Sequence, residues 1–278
     1  MNAEVEAQRT LSAQEFAWIR QFLLERTGIE LKAGKEAMVM GRLDRRLRHH
    51  GLATYAEYIN LLAHHADPSE IRIAVDLLTT NETYFFREPN HFTFLRTTFS
   101  TIPWRAEPVR IWSAASSTGE EAYTIAMTLA GCLPDRQEWE VVGTDISTRV
   151  LETARAGLYP IEAAEKIPNE LLRAYCLRGR DEYDGLLAID RTLRARVTFR
   201  HANLLELPHD LGTFDAIFLR NVMIYFGAET KKGLLRRVER MLRPGGHLLV
   251  SHSESLNGLD SALTRVSASI YRAGDRHA

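Results

Sequence analysis

The residues best suited to chemistry in this 278-residue chain recur at matching places, each just after a strand-like apolar segment. After residues 109–112 comes a run of small side chains, 113–119, and then Glu120 and Glu121 at the start of a helical pattern. Small side chains let a backbone approach a ligand, and a helix start offers unpaired N–H groups. Only Gly119 stands where dinucleotide turns place three glycines, so an ordinary tight βα turn is the plain alternative. Asp145 follows the second segment, 26 residues past Gly119. A carboxylate there suits a ribose diol; its alternative is the N-cap of a helix beginning near Ser147. Asn203 and Leu204 follow the third segment, where an amide both accepts from and donates to an adenine edge. Arg220 and Asn221 follow the fourth, with Tyr225 at i+4 from Asn221.

Charge narrows the ligand. A pyrophosphate would be opposed by Glu120 and Glu121 at the helix start. S-adenosylmethionine has no phosphate, but carries an ammonium that suits Glu121 and a carboxylate that suits Arg87, as a substrate carboxylate would. The signs favour a methyltransferase over a nicotinamide enzyme.

The elements that must position these groups alternate. Strands are expected at 109–112, 139–143, 197–200, 214–219 and 247–251, with helices at 120–131, 148–156 and 229–242. Strands separated by helices imply an α/β fold with one doubly wound, mostly parallel sheet, whose ligands sit beyond the strands' carboxyl ends. Residues 244–246 read as a turn, 267–272 as a final antiparallel edge strand, and 178–197 as a small β insertion.

The first eighty residues carry helix starts instead. Ser12 with Glu15 and Thr54 with Glu57 are capping boxes, and Asp67-Pro68-Ser69-Glu70 is a third start. Four short helices are expected. On the second, about 35–50, Arg42, Arg45, Arg46 and His49 share one face, with Arg48 beside them and Met40, Leu43 and Leu47 on another. Residues 32–50 hold six Lys/Arg against two acids. Such a stripe is either a solvated face or a docking surface for an acidic partner. Residues 81–87, which join the halves, contain no Gly, Ser or Pro and read as packed, against a ligand, rather than as a flexible linker.

Bulk properties exclude several classes. A net charge of −1 draws the chain neither to nucleic acid nor to a membrane surface. Cys132 and Cys176 lack CxxC spacing and read as small buried hydrophobes. His49-His50 and His64-His65 are adjacent pairs that cannot share a helix face, so no metal is expected. No apolar run approaches the ~18 residues of a membrane span, and a cytoplasmic monomer is expected.

Several long motifs carry a resemblance. Asn81-Glu-Thr-Tyr-Phe-Phe-Arg-Glu88, Trp112-Ser-Ala-Ala-Ser-Ser-Thr-Gly-Glu-Glu121, Phe214-Asp-Ala-Ile-Phe-Leu-Arg-Asn-Val-Met-Ile-Tyr-Phe226, Ser251-His-Ser-Glu254 and Gly41-Arg-Leu-Asp-Arg-Arg-Leu-Arg48 resemble the CheR-type chemotaxis receptor methyltransferases, in order and over nearly the whole chain. The resemblance implies a helical receptor-docking domain over 1–80 and a linker with a first helix over 81–99. A Rossmann-like, class I S-adenosylmethionine-dependent domain would fill 100–278. Asn81, Thr83, Arg87, Glu121, Asp145, Asn203, Leu204, Arg220 and Asn221 would line the cofactor site, with Arg87 and Tyr225 catalytic. Arg42, Arg45, Arg46 and Arg48 would meet the receptor's methylation helices. The implied reaction esterifies glutamate carboxylates and releases S-adenosylhomocysteine. Glutamate is already ionised at pH 7, so no general base is needed. Relatives that bind a receptor's C-terminal peptide carry a glycine-rich loop where this chain has Gly179-Arg-Asp-Glu-Tyr-Asp-Gly185. Its side chains either block strand addition or decorate a surface turn. The rival functions are methylation of a small molecule or RNA, and a cofactor-binding adaptor without catalysis.

Overall fold

A computed structural model of the chain describes residues 9–65 and 68–275. Two compact units emerge, Met1–Thr80 with Tyr225–Gly227, and Asn81–Ile224 with Ala228–Ala278. No described helix is long and apolar enough to cross a membrane.

The first unit is helical: α1 (Ala13–Thr27), α2 (Glu36–His49), α3 (Tyr55–Asn60) and α4 (Pro68–Leu78). Both capping boxes form, at Ser12 with Glu15 and at Thr54 with Glu57, satisfying orphan N–H groups at each helix start. A π-helical turn, Leu61–His65, continues α3. The expected cap Asp67 lies outside the described residues. Phe16, Ile19 and Leu23 of α1, Val39, Leu43 and Leu47 of α2, and Tyr55 and Tyr58 of α3 are all buried and make up the unit's core; Met40 is only half-buried. Residues 225–227 belong here because Glu30 N–H donates to the Tyr225 carbonyl at 2.8 Å and Ile29 bridges Phe226.

The second unit follows as α5 (Asn90–Phe99), β1 (Val109–Ala114), α6 (Glu120–Ala130), β2 (Trp139–Asp145), α7 (Thr148–Ala156), β3 (Leu158–Pro160), α8 (Asn169–Tyr175), β4 (Cys176–Arg178), β5 (Leu186–Ile189), α9 (Arg191–Arg194), β6 (Val197–His201), β7 (Phe214–Leu219), α10 (Ala228–Met241), β8 (Leu242–Val250), β9 (Thr264–Ser267) and β10 (Ile270–Arg272). The main sheet runs β6-β2-β1-β7-β8-β10-β9; the first five strands are parallel and β10 and β9 antiparallel. Central strands read as near-continuous apolar runs because both faces are covered. Phe92 and Leu95 of α5 and Ile125 of α6 meet Ile111, Val141 and Phe218 in one core, while Trp112 stacks on Phe214 at 5.6 Å and donates its Nε1–H to Thr144 Oγ1.

Three expectations need correction. The chain end forms a hairpin, with β10 inside the sheet and β9 at its edge, rather than one edge strand. The turn at 244–246 lies within β8, where the pairing register slips between Phe214 and Ala216. The insertion is a separate sheet, β3-β5-β4, that starts at Leu158, well before residue 178. At its tip, a Cβ on Gly179 would collide with the Tyr183 carbonyl, so the turn needs glycine there. Asp181, Glu182 and Asp184 are all exposed.

Candidate functional site

The five parallel strands end level. Ala114 is opposite Thr144 and Leu219, Asp145 opposite His201, and Leu219 opposite Val250. The loops that follow therefore line one edge of the sheet, and the strand order reverses between β1 and β7, the usual switch point for a ligand. In the first loop Ala115, Ser117 and Gly119 all have positive φ. Gly119, at +96°, has no room for a Cβ, which would stand 2.8 Å from the Ala154 Cβ on α7. Small residues thus let the turn close tightly and α6 approach α7.

Asp145, 6% exposed, ties two of these loops together. Its Oδ2 accepts from Ser117 N–H at 2.9 Å and its Oδ1 from Ser147 N–H at 2.9 Å. The N-cap of α7 is Ser147, whose hydroxyl accepts from Val150 N–H, so the capping alternative for Asp145 falls away. Ala202 N–H donates to the Asp145 carbonyl, which carries the β6 loop into the same edge. There Asn203 Oδ1 accepts from Leu205 N–H at 3.0 Å, and Leu204 is buried.

Arg220 is the hub of the other half. Its side chain, 1% exposed, donates Nη1 to Glu121 Oε2 at 2.8 Å and Nη2 to the Arg87 carbonyl, with Glu88 Oε2 3.4 Å away. Its Nε has no hydrogen-bond partner among the described residues. Glu121 also accepts from Ser113 Oγ at 2.7 Å. Burial pushes the Glu121 carboxyl up in spite of Arg220 and Ser113. The notion that Glu121 waits for an ammonium needs amending, because its charge is already matched by Arg220. Arg87 is half-buried, donates to the Glu82 carbonyl at 2.8 Å and lies 5.7 Å above the Tyr84 ring. The packed reading of 81–87 holds within this unit: Asn81 C=O accepts from Ser117 Oγ at 2.8 Å, and Phe86 N–H donates to Thr124 Oγ1. Thr83 is half-buried and its side chain makes no hydrogen bond among the described residues.

Glu254 has a role that residue type alone did not reveal. Its Oε2 accepts from Asn221 and Ser251 N–H at 3.0 and 2.9 Å, and its Oε1 from Ile224 N–H at 3.2 Å. It clamps the loop after β7 while Asn221 sits at φ +57°. The signal was the Ser251-His-Ser-Glu254 string, which carried an acid with no assigned task. Tyr225 groups with the helical unit and is not among the residues these bonds bring together.

The arginine stripe divides. Arg42 donates to the Leu78 and Thr79 carbonyls at 3.0 Å, closing the end of α4. Arg46 is held by Glu70. Arg48 pairs with Asp44 at 3.1 Å, and Arg45 is exposed with no hydrogen bond or ion pair among the described residues. Arg42 and Arg46 thus also brace their own unit.

This edge suits S-adenosylmethionine. Two acids open α6, which disfavours a phosphate, and a ring of carboxylate, amide and guanidinium groups remains for a ligand of mixed charge. Family models agree: residues 14–79 match the CheR methyltransferase all-alpha domain and 81–272 its SAM binding domain. The chain is 42% identical to the chemotaxis protein methyltransferase of Escherichia coli (strain K12), over 94% of this chain and 91% of that one. It is 41% identical to chemotaxis protein methyltransferase 2 of Pseudomonas aeruginosa, over 93% and 92%. The chain belongs to the CheR methyltransferase family and is an S-adenosylmethionine-dependent methyltransferase of chemotaxis.

Proposed function

We propose that the protein esterifies glutamate side chains on the cytoplasmic methylation helices of chemoreceptors and releases S-adenosylhomocysteine. The observation that carries this reading is the charge arrangement at the strand ends, where acids and arginines are spent on one another and on main-chain groups. None is paired as nucleophile and base, as an acceptor that arrives ionised requires none. Bound S-adenosylmethionine would supply an electrophilic methyl group on sulfur for transfer to a receptor carboxylate oxygen, with the thioether as leaving group. The chain's part is to position. Asp145 would accept from the ribose hydroxyls, Asn203 and Leu204 would hold the adenine, and Asn81, Thr83, Glu121, Arg220 and Asn221 would complete the wall. Arg87 would meet a carboxylate, and Tyr225 would stand near the sulfonium. Docking on the receptor would fall mainly to the two exposed arginines, Arg45 and Arg48, although Arg48 also pairs with Asp44. The protein would act in the cytoplasm, as a monomer.

The test is transfer of radiolabelled methyl groups to candidate receptors, with base-labile release marking an ester. Asp145→Ala should weaken S-adenosylmethionine binding by at least about 100-fold in calorimetry, roughly 2.7 kcal/mol. Unchanged affinity would remove the ribose assignment.

A further inference from the structure

Outside the groups assigned to cofactor and receptor, three metal-ligating side chains converge. Glu88 Oε2, His91 Nδ1 and His252 Nε2 lie within 4.8 Å of one another. Individual separations are 3.5 Å from Glu88 to His91 and 3.8 Å from Glu88 to His252. His91 is 1% exposed, and its Nδ1 has no hydrogen-bond partner among the described residues although it faces the carboxylate. A buried polar atom in that condition calls for an explanation. Its ring is held from the far side, where Nε2 sits 2.7 Å from Ser269 Oγ. The same hydroxyl lies 3.3 Å from His252 Nδ1. One oxygen with two lone pairs can accept from both rings, and in that pair of tautomers the free lone pairs lie on His91 Nδ1 and His252 Nε2, the atoms near Glu88.

We infer that Glu88, His91 and His252 form a binding site for one divalent transition-metal ion of the zinc class. Two imidazoles and one carboxylate are borderline donors that suit Zn²⁺ or Co²⁺ over Mg²⁺ or Ca²⁺. Ser269 is the outer hydrogen-bonding partner that such histidines ordinarily have. His252, with its side chain 48% exposed, leaves a way in from solvent. Arg220 is the opposing charge, 3.4 Å from the same Glu88 oxygen. Glu121 offsets it, so the three charged groups together are still negative before an ion enters. The bound ion would tie the start of α5 to the loop after β8.

Co²⁺ added to the metal-free full-length protein is the probe. One ion per chain should bind with visible d–d absorption, and Zn²⁺ should displace it. His252→Ala should abolish the band, and His252→Cys should keep it and add a thiolate charge-transfer band. Ser269→Ala should weaken binding by about tenfold through loss of ring orientation. His252 is exposed, so its variants leave the core alone, and circular dichroism checks their fold. No band at millimolar Co²⁺ overturns the site, and so does a band unchanged in His252→Ala, which would place the ion elsewhere.

Discussion

Each compact unit ties an arginine to a buried or nearly buried carboxylate, half-buried Arg46 to Glu70 in one and buried Arg220 to Glu121 in the other, and the two are completed to different degrees. In the helical unit Arg46 donates Nε to Glu70 Oε1 at 3.0 Å and Nη2 to Glu70 Oε2, while Tyr58 donates to the same carboxylate at 2.7 Å. Burial pushes the Glu70 carboxyl up, but donation from Arg46, Tyr58 and His50 outweighs it and leaves the group below its ordinary value. In the sheet unit Arg220 has Glu121 and Glu88 within reach, yet its Nε is unpartnered and Glu121 ends above its ordinary value. The first network closes on one carboxylate and acts as a staple. The second still has a donor to offer and a carboxylate that costs free energy to keep ionised, the condition of a site completed by a ligand.

Substitutions can break that contrast. Arg220→Ala should have the largest effect, lowering kcat/KM about 1000-fold, or ~4 kcal/mol, in a methyl-transfer assay. An enzyme that merely unfolds more easily, with normal kcat/KM when folded, would make Arg220 a staple too. Arg46→Ala should cost about 3 kcal/mol of unfolding free energy in a denaturant titration, with S-adenosylmethionine affinity unchanged, because it strands Glu70 among buried groups. Loss of cofactor affinity would mean the helical network is not confined to its own unit.

Acid separates the two carboxylates next. Glu121 has a raised folded pKa, so it takes up a proton first as pH falls from neutral, and Arg220 loses its counter-charge. Glu70 has a lowered one, so its stabilisation is present above the unfolded value and is lost only as pH falls through the lower folded value. Calorimetry should show cofactor affinity falling first as the pH is lowered from neutral, while the helical unit holds until the pH has passed below the ordinary glutamate range. Simultaneous loss of both would erase the distinction. The smallest effect is expected for Arg45→Glu with Arg48→Glu, about fivefold in receptor methylation, or ~1 kcal/mol, with cofactor affinity intact and the defect fading at high salt.

Local rules were legible in the chain wherever one short stretch decides the outcome. Ser12 with Glu15 and Thr54 with Glu57 start their helices as read, and the residues after each parallel strand share one edge because the period of β and α fixes where the chain returns. Helical periodicity placed Arg42 and Arg46 on a common face but could not say what that face meets. Glu70 is 24 residues from Arg46 and reaches it only through the packing of α4 on α2. The same limit hid the Glu254 clamp, 33 residues from Asn221, and the Glu88, His91 and His252 cluster, whose last member lies at the far end of the chain. Strands of three residues, such as β3 and β4, have too few alternations to register as a pattern, so the small sheet was placed too late in the chain.

The hairpin that closes the chain also bears on how the protein behaves when concentrated. A sheet border of unpaired N–H and C=O groups invites another chain to add on, which is how many β proteins precipitate. Here the border strand β9 has only four residues, all exposed. Its own Arg265 folds back, donating Nε to the Ser267 carbonyl at 3.0 Å and Nη2 to that of Ala268 at 3.3 Å. A charged side chain thus lies along the end of the border strand, and a short, cationic rim resists edge-to-edge growth.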